Sequence, residues 1–573
     1  MLSIIAAAMA AMLGIVIDGI IVGRFMGPDS MAAYGLVTPI VNLTTAFAGI
    51  LATGTQVICA QRLGAGDAKS AKSAFSMCMT ITMVISAILM TLLLVFRNNV
   101  AFMLGAQGNS AKLLPLASDY ILGLVPSIPS VLLLLEFNSL MRLDGDANRV
   151  VVAVSVMTVL DAAGDLLVVF VFKAGMLGMG LATSISYSIG LIIMLLHFTK
   201  KDIIFKPSLK GLKLKDLGEI LGTGSSSAMG STSAMVRNMV LNRIMVATVL
   251  SSTAVAALGV LNTVVNFTSS SMLGVGMTAA MIAGMILGEQ DRSAAEELVK
   301  VTSKTALIFG VGLGVVVFAA ADLIAGIFGG EKGAEMVSLA SRGLRFYSVS
   351  LILYGLNAAF INYTQGMRRM AISNIYCLLQ NLVFIALPAL ALAGVLDTDA
   401  VWVSFIIGES LTFICIIILA AIRKKGFPYR AKDFLFVKEP FGAAEGEFYE
   451  VTIGDEKDII PASEKVGEFC ESKGADQKQV YLMALFVEEL GNNTVKFGFK
   501  GKKNTIDIRV INMDGDWIIR FRDNAKAFDP TEWIKLHESD DPTANLGIRM
   551  VCRMAKDVKY LSTMDLNILT IRI

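Results

Sequence analysis

Long apolar segments recur along the first three quarters of the chain, and short charged stretches separate them. A helix needs about 20 mainly apolar residues to cross a bilayer. The pattern therefore predicts a polytopic all-α membrane protein with twelve transmembrane helices. These segments lie at residues 3–25, 31–60, 74–96, 115–141, 150–172, 176–198, 218–248, 253–288, 302–328, 337–362, 371–394 and 400–422.

Basic residues between these segments favour one side of the membrane. The loops after even-numbered segments are rich in Lys and Arg, whereas the loops after odd-numbered segments contain few; Arg423, Lys424 and Lys425 follow the twelfth segment. Because basic loops tend to stay in the cytoplasm, we expect the even loops and both termini to be cytoplasmic. The predicted location is the cell membrane, meaning the inner or plasma membrane.

Three short patterns return later in the chain at a single spacing of 224 residues. Residues 32–35 return at 256–259, residues 41–44 at 265–268, and residues 63–67 at 287–291. Since each half contains six predicted helices, the repeat predicts two parallel lobes, at 1–215 and 216–425. Repeated lobes of this kind are typical of alternating-access transporters.

Composition narrows the chemistry only slightly. Hydrophobic residues make up 55% of the chain, in agreement with a membrane protein, and the net charge of +2 favours no nucleic-acid partner. Only two histidines are present, and the six cysteines show no paired metal spacing. Metal or proton-relay chemistry based on histidine is therefore not expected.

Three acidic residues fall inside predicted membrane helices, where an ionisable group is costly and is a candidate for function. Asp18 lies in the first segment, and Asp161 and Asp165 are four residues apart on one face of the fifth. With the hydroxyl of Thr183 in the sixth, they are predicted to form an oxygen cage for a small cation or a proton-accepting cluster. The alternative is that these polar groups only join helices.

The second lobe shows no acid at the position equivalent to Asp18, which is occupied by Asn242. We therefore expect ion coupling in the first lobe alone. Glu136 and Glu409 are further acidic candidates in predicted helices 4 and 12. Glu136 is predicted to lie at the membrane interface beside Arg142.

Several of these patterns resemble the MATE (multidrug and toxic compound extrusion) family over roughly residues 1–425. They are the stretches at 17–24, 32–35, 63–67, 160–166 and 178–183. The resemblance implies a two-lobed antiporter, driven by Na+ or H+, that exports small organic or drug-like compounds. It gives Asp18, Asp161, Asp165 and Thr183 the roles of the family's first-lobe cation site. Asp161 stands where the family usually has Asn, and the choice of coupling ion stays open.

The pattern changes after a linker at 426–445. Between 446 and 573, short alternating strands and amphipathic helices replace the apolar segments and predict an α+β sandwich. The strands are expected at 448–451, 505–511, 517–522, 558–561 and 568–573, and the helices at 462–473, 477–497 and 547–555.

One predicted helix of this domain carries two pairs, each of a Glu and an Asn. Glu489 and Asn493 are four residues apart, so both can address one ligand. A Glu can activate a hydroxyl or water, and an Asn can supply an oxygen to Mg2+. Glu488 and Asn492 have the same spacing, so spacing alone does not choose between the two pairs.

Further polar residues fit a nucleotide site. Asp523 ends a predicted strand and can accept a hydrogen bond from a base amino group. Gly547, which follows Asn545 and Leu546, opens a helix whose N-terminus can receive phosphate.

These residues resemble the GHKL ATP-binding fold, in particular the anti-sigma-factor serine kinases. In that family an Asn stands five residues before a Gly, which selects Asn493 with Gly498 and makes Glu489 the catalytic base. The resemblance implies that Asn493 holds Mg2+ and that Asp523 contacts adenine. Further residues follow or depart from the family pattern: Phe528 and Gly547 take nucleotide-binding positions and Asn567 fits the last strand, while Ala525, Ala527 and Asn545 stand where Gly is usual.

The preferred hypothesis is a cation-coupled exporter of small molecules with a cytoplasmic ATP-binding regulatory domain. Its expected partners are the small-molecule substrate, membrane lipid and a cytoplasmic regulatory protein. ATP is not expected to drive transport, because no Walker A sequence is present. Two alternatives remain, a membrane-tethered serine/threonine kinase whose transporter half is a sensor, and a flippase for lipid-linked sugars. Whether the domain phosphorylates a protein or only binds ATP stays open.

Overall fold

The protein is described by a computed structural model. The described residues are 14, 17–104, 113–200, 203–208, 212–247, 251–329, 334–443, 446–499, 501, 504–513, 516–537, 546–563 and 566–573. The first predicted segment, 3–25, lies partly outside them.

Six helices make up the described part of the first lobe. They are α1 (17–26), α2 (Pro28–Gly64), α3 (Ala68–Met103), α4 (Leu113–Leu124 and Ser127–Leu143), α5 (Ala147–Leu167 with Val168–Phe172) and α6 (Gly175–Leu195). The two parts of α4 meet at a bend of 49°.

The second lobe repeats this order. Its helices are α7 (Leu214–Ala247), α8 (Ser251–Glu289), α9 (Arg292–Ala319), α10 (Ala334–Gly366), α11 (Met370–Leu378, Leu379–Val383 and Phe384–Leu396) and α12 (Asp399–Lys424). A short helix, Ala321–Gly329, follows α9.

The described helices agree with the predicted membrane segments. Nine of them are long and apolar enough to cross a membrane, and the bent pair of α4 makes a tenth. The seventh predicted segment is also helical as α7, 34 residues long, but it is rich in Ser, Thr and Gly and is less apolar. The prediction of a polytopic all-α membrane protein is confirmed.

The loops after α2 and α8 show the 224-residue repeat in three dimensions. Asp67 Oδ1 accepts a hydrogen bond from the Ser70 amide at 2.9 Å, and Asp291 Oδ1 accepts one from the Ala294 amide at 2.9 Å. The residue before each Asp has a positive φ in both loops. The two halves therefore share local geometry as well as sequence.

The two lobes touch through glycines at the end of the bundle that carries the C-terminal domain, here called the domain side. A Cβ atom added to Gly64 would lie 2.1 Å from the carbonyl oxygen of Met285. One added to Gly288 would lie 2.0 Å from the carbonyl oxygen of Gln61. Only glycine permits this approach of α2 and α8, and the two glycines are equivalent in the repeat.

Polar contacts extend this junction. Arg62 Nη2 lies 2.7 Å from Asp216 Oδ1, and Gln56 Nε2 donates to the carbonyl oxygen of Met277 at 3.0 Å. The other half of α2 leaves large side chains exposed, at Val41, Leu43 and Phe47. The lobes are thus closed against each other at the domain side.

The C-terminal domain is a five-stranded antiparallel sheet covered by helices, so the predicted α+β sandwich is confirmed. The strand order is β1-β2-β3-β5-β4. The strands are β1 (Phe448–Ile453), β2 (Ile506–Met513), β3 (Asp516–Asp523), β4 (Asp557–Thr563) and β5 (Leu566–Arg572). The helices are α13 (Ile459–Ser472), α14 (Gln477–Asn493), α15 (Pro530–Leu536) and α16 (Leu546–Met554).

Alternation along the strands separates two faces of this sheet. Trp517, Ile519 and Phe521 are buried in the core with residues of α13 and α14. The intervening residues of β3 point to the opposite face, which lies against the membrane lobes.

The segment between the membrane part and the sheet packs on the second lobe. Tyr363 donates to the carbonyl oxygen of Leu435 at 3.0 Å, and Arg423 Nη2 donates to that of Val437 at 2.9 Å. Leu435, Val437 and Phe441 are buried in the same hydrophobic cluster. This segment therefore attaches the domain firmly to the second lobe.

Candidate functional site

Three carboxyl groups meet inside the first lobe. Asp18 on α1 and Asp161 and Asp165 on α5 are all more than nine-tenths buried, and their carboxyl groups interact. Among the described residues, no group outside the cluster donates a hydrogen bond to Asp18 Oδ1 or to either oxygen of Asp165. The carboxyl groups of Asp18 and Asp165 lie close enough to share a hydrogen bond when one of them carries a proton. Buried acceptors without donors are costly, so this group of oxygens is suited to a proton or a small cation.

Helix α6 adds hydroxyl groups to the same cluster. Ser186 Oγ donates to Asp161 Oδ1 at 2.9 Å, and the Thr183 side chain also approaches Asp161. The structure thus brings the four predicted residues together. Ser186 was not predicted, although it follows Thr183 by three residues and therefore shares its helix face.

Tyrosine side chains surround these carboxyls. Tyr34 and Tyr120 lie near Asp18, with ring centroids 5.6 Å apart, and Tyr187 lies near Asp161. The sequence pattern did not single them out, because a tyrosine in an apolar helix is ordinary packing material.

Helical turns widened to π geometry mark the candidate sites. In the described chain, such turns follow Asp18 (Val22–Met26), follow Asp165 (Val168–Phe172), include Gln380 (Leu379–Val383) and follow Asn493 (Thr494–Gly498). Single π-turns inside α-helices occur frequently at functional sites. Their positions support the choice of these regions.

The second lobe has a buried acid at a different place from the first. Glu409 Oε2 accepts hydrogen bonds from Asn357 Nδ2 at 2.7 Å and Gln380 Nε2 at 2.9 Å. Arg237 is buried nearby, with its guanidinium 5.7 Å from the centre of the Phe405 ring. This acid is already supplied with donors, unlike the cluster at Asp18.

The prediction for Glu136 is wrong. This residue is fully buried, and its Oε1 accepts hydrogen bonds from Thr82 and from Cys78 Sγ. Arg142 instead bonds Asn138 on its own helix. Donors on α3 stabilise Glu136 inside the lobe.

Contacts on either side of α14 distinguish the two Glu–Asn pairs of the C-terminal domain. Glu488 Oε1 accepts a hydrogen bond from Ser463 Oγ on α13 at 2.6 Å. Glu489 faces α16, where a Cβ added to Gly547 would lie 1.8 Å from Glu489 Oε2. Asn493 follows Glu489 by one helical turn, so this pair faces α16.

The Glu489 carboxylate therefore lies against the first turn of α16. A negative charge is favourable at a helix N-terminus. This is also the position that the sequence predicts for phosphate. Asn545, part of the same predicted motif, lies outside the described residues.

Asp523 is positioned at the end of β3 by two donors. Its Oδ1 accepts hydrogen bonds from Asn567 Nδ2 at 2.8 Å and from the Ala525 amide at 2.9 Å. Burial raises the pKa of Asp523, and these two hydrogen bonds oppose that rise only in part. Oδ2 has no hydrogen-bond partner in the described chain and can accept one from a base amino group.

A chain of hydrogen bonds connects Phe528 to the same carboxylate. The Phe528 amide donates to Tyr560 at 3.0 Å, and the Tyr560 hydroxyl donates to Asn567 Oδ1 at 2.9 Å. The Phe528 ring is partly exposed, and the following Asp529 caps α15. The structure therefore gives this predicted stretch a local role as a helix start.

The residues of this region fit a magnesium nucleotide. Asp523 presents an acceptor for the base, and Asn493 and Glu489 present oxygens on one helix face. Within the described ranges of the C-terminal domain, no three His, Cys, Asp or Glu side chains form a group that could hold a metal ion. The fit is thus to Mg2+ carried by phosphates, for which few protein ligands are needed.

Comparison with family models supports the predictions for the membrane part and for the C-terminal domain. The model of the family described as MatE matches twice, at residues 3–167 and 227–390, and together these segments exceed half of the chain. The chain belongs to the MatE family. A histidine kinase-like ATPase domain matches residues 455–573. The two MatE matches are offset by nearly the repeat spacing found in the sequence.

Named relatives of this MatE protein are bacterial. It is 23% identical over 358 residues to the probable multidrug resistance protein YoeA of Bacillus subtilis (strain 168), covering 60% of this chain and 74% of the relative. It is 25% identical over 407 residues to the multidrug export protein MepA of Staphylococcus aureus (strain MSSA476), covering 69% and 87%.

A solved structure shares the membrane fold. It is the outward-facing conformation of a multidrug resistance MATE family transporter of the MOP superfamily, with a TM-score of 0.69 and 21% identity. The similarity covers 74% of this chain and 94% of the other. The chain is thus a multi-pass membrane protein with a MATE transporter fold and a kinase-like ATPase domain.

Proposed function

We propose that the protein is a cation-coupled antiporter that exports small organic, drug-like compounds, and that its C-terminal domain binds ATP and regulates export. The cluster of Asp18, Asp161 and Asp165 carries this proposal, because its buried oxygens include several without a hydrogen-bond partner among the described residues. The substrate class follows the relatives, which are named for multidrug export and multidrug resistance.

The coupling ion in this proposal is Na+ or H+. Three neighbouring carboxylates repel one another, and a bound cation or proton offsets that repulsion. Release of the ion restores the repulsion and thereby favours a different conformation of the first lobe. Asp161, Thr183 and Ser186 would supply further oxygens to the same ion.

The proposed orientation places the domain side in the cytoplasm of a cell-membrane protein. Basic residues at this end include Arg62, Arg149, Arg292 and Arg368, and basic loops favour the cytoplasmic side. Both termini would then be cytoplasmic, and the C-terminal domain would have access to ATP.

The nucleotide site in this proposal uses Asp523 for adenine and Asn493 for Mg2+. The metal would neutralise phosphate charge. Glu489 is the proposed base for any phosphoryl transfer to a cytoplasmic regulatory protein. Export itself would draw on the ion gradient.

A flux assay tests the proposal directly. The purified protein is reconstituted in vesicles, and movement of ethidium is followed under imposed Na+ or H+ gradients, with and without ATP. We expect gradient-driven movement that is lost in Asp18→Asn and that persists in Asn493→Ala. Asp119→Asn is the matched control, since Asp119 is an exposed acid in the same lobe.

Two outcomes would contradict the proposal. Flux that survives in Asp18→Asn as fully as in Asp119→Asn would remove ion coupling from this cluster. Phosphorylation of a cytoplasmic protein without any ethidium movement would instead support the signalling-kinase alternative.

A further inference from the structure

The outer face of the C-terminal sheet touches both membrane lobes. We call this face, opposite α13 and α14, the docking face. Six side chains on four strands of this face contact the membrane lobes. They are Arg509, Arg520, Arg522, Leu561, Thr563 and Ile568.

Ion pairs join the docking face to the second lobe. Arg520 Nη1 and Arg522 Nη2 lie 2.8 Å and 2.5 Å from Glu289 Oε2. Arg509 and Arg520 each also bond Asp291. The side chains of Glu289 and Asp291 are only 3% exposed, so both acids are buried, while Arg522 at the edge of the group is 27% exposed.

Apolar packing, a hydrogen bond and one lysine join the same face to the first lobe. Ile568 is buried in a hydrophobic cluster made mostly of first-lobe residues, which also includes Ile220, Met281 and Met285 of the second lobe. Leu561 packs against this cluster. Thr563 Oγ1 donates to the carbonyl oxygen of Leu143, at the end of α4. Lys559 lies against Gly66, whose added Cβ would be 2.7 Å from Lys559 Cδ.

The parts of the lobes in contact with the docking face are related by the internal repeat. Gly66 lies in the loop after α2. At the equivalent place in the second lobe, Glu289 ends α8 and Asp291 lies in the loop that follows. The ends of α2 and α8 also touch each other through Gly64 and Gly288. One sheet therefore spans the place where the lobes close.

We propose that the docking face is a clamp that holds the two lobes together at the domain side. A transporter with two lobes opens at one side by moving one lobe relative to the other. A rigid sheet attached to both lobes cannot keep both sets of contacts when that side opens. The proposal rests on the transport function proposed above and assigns a regulatory role to the domain.

The contacts indicate where the clamp releases. The second lobe holds the domain through buried ion pairs and through the packed segment that contains Leu435 and Phe441. The first lobe holds it through apolar packing, a hydrogen bond from Thr563 and the exposed Lys559, which lies beside Gly66 and Asp67. Exposed charges contribute little to such an attachment. We therefore expect the domain to leave the first lobe and stay on the second.

Hydrogen–deuterium exchange of the full chain in lipid nanodiscs tests the clamp. The variant combines Leu561→Ala with Thr563→Val, which weakens the first-lobe contacts and leaves the ion pairs in place. We expect severalfold faster exchange at 61–67 and 285–291, where α2 and α8 close. Leu536→Ala is the matched control, because Leu536 is exposed in the same domain.

The same exchange measurement can also refute the clamp. If 557–563 exchanges faster while 61–67 and 285–291 stay unchanged, the lobes close without the sheet and the clamp is refuted. Unchanged exchange of β2 verifies that the domain remains folded. Thr563→Val alone, which preserves side-chain volume, repeats the test with a smaller perturbation. The measurement requires neither transport nor nucleotide. A negative result would therefore refute the clamp without refuting the proposed function.

Discussion

Arg520 lies 2.8 Å from Glu289 across the boundary between the C-terminal domain and the second membrane lobe. Their positions differ by 231 in the chain, and both side chains are nearly buried. A buried arginine that loses its acid is left without compensation, which makes such a pair costly to break. The contact therefore joins the C-terminal domain and the second membrane lobe into one structural unit.

Replacing Glu289 tests how strongly the domain is attached. We expect Glu289→Gln to destabilise docking by about 3 kcal/mol, since it leaves Arg520 and Arg522 partly uncompensated in a buried place. The measurement is thermal unfolding of the domain within the full chain, followed by tryptophan fluorescence. Glu297→Gln is the control, because Glu297 pairs with Lys300 at the exposed surface and should change stability by about 0.5 kcal/mol or less.

The pH dependence of docking follows from Asp291. Burial alone would raise the pKa of Asp291, but Arg520 and Arg509 outweigh burial and hold that pKa well below its usual value of 3.8. A depressed acid pKa stabilises the folded state above the unfolded pKa and loses this contribution as pH falls through the folded value. We expect proteolytic cleavage at the exposed Gly446 and Glu447 to stay constant from neutral pH down to about pH 5. Increased cleavage near pH 6 would contradict this account.

Gly288 tests the closure between the lobes. A valine there would place its Cβ 2.0 Å from the carbonyl oxygen of Gln61, so α2 and α8 must separate. We expect Gly288→Val to increase deuterium uptake at the domain side and to reduce ethidium flux. Gly312→Val is the matched control, since a Cβ at Gly312 meets nothing within 4 Å. Equal effects of the two variants would show that valine in a membrane helix is itself the cause.

Asp523 provides the test of nucleotide binding. Asp523→Asn removes the charge of a carboxylate that is held in place by Asn567 and by the Ala525 amide. Hydrogen bonds to charged groups are worth about 1.5–3 kcal/mol. The expected loss of affinity for a fluorescent ATP analogue is therefore at least about tenfold. Asp507→Asn is the control, because Asp507 bonds Thr452 away from this site. Unchanged affinity in Asp523→Asn would remove the residue from the base pocket.

Hydrophobic pattern predicted the membrane helices well but not their ends. The ninth segment was predicted to start at 302, whereas α9 starts at Arg292, because its first turns are polar and extend beyond the apolar layer. Similarly, α15 was not predicted, since a seven-residue helix capped by Asp529 shows little periodicity.

Spacing predicted most of the carboxyl cluster, because Asp161 and Asp165 share a helix face. It did not predict the docking face. Arg520 and Arg522 alternate with core residues as on any solvated strand, and their acid partner lies more than 200 residues away. Likewise, Glu488 and Glu489 are distinguished by contacts with other elements, Glu488 with Ser463 on α13 and Glu489 with the start of α16. Contacts between distant segments leave no local pattern.

The unequal roles of Asp161 and Asp165 give the last prediction. Asp161 has a donor in Ser186, whereas Asp165, among the described residues, has no donor from outside the cluster and shares a hydrogen bond only with the carboxyl of Asp18. Asp161→Asn keeps an oxygen in the cluster and can still accept from Ser186. We expect it to retain ethidium flux with an altered dependence on Na+ and H+. Asp165→Asn should abolish flux in both gradients, because it removes the least compensated carboxyl. Equal losses in the two variants, measured in the same vesicles, would show that the three carboxyls act as one indivisible group.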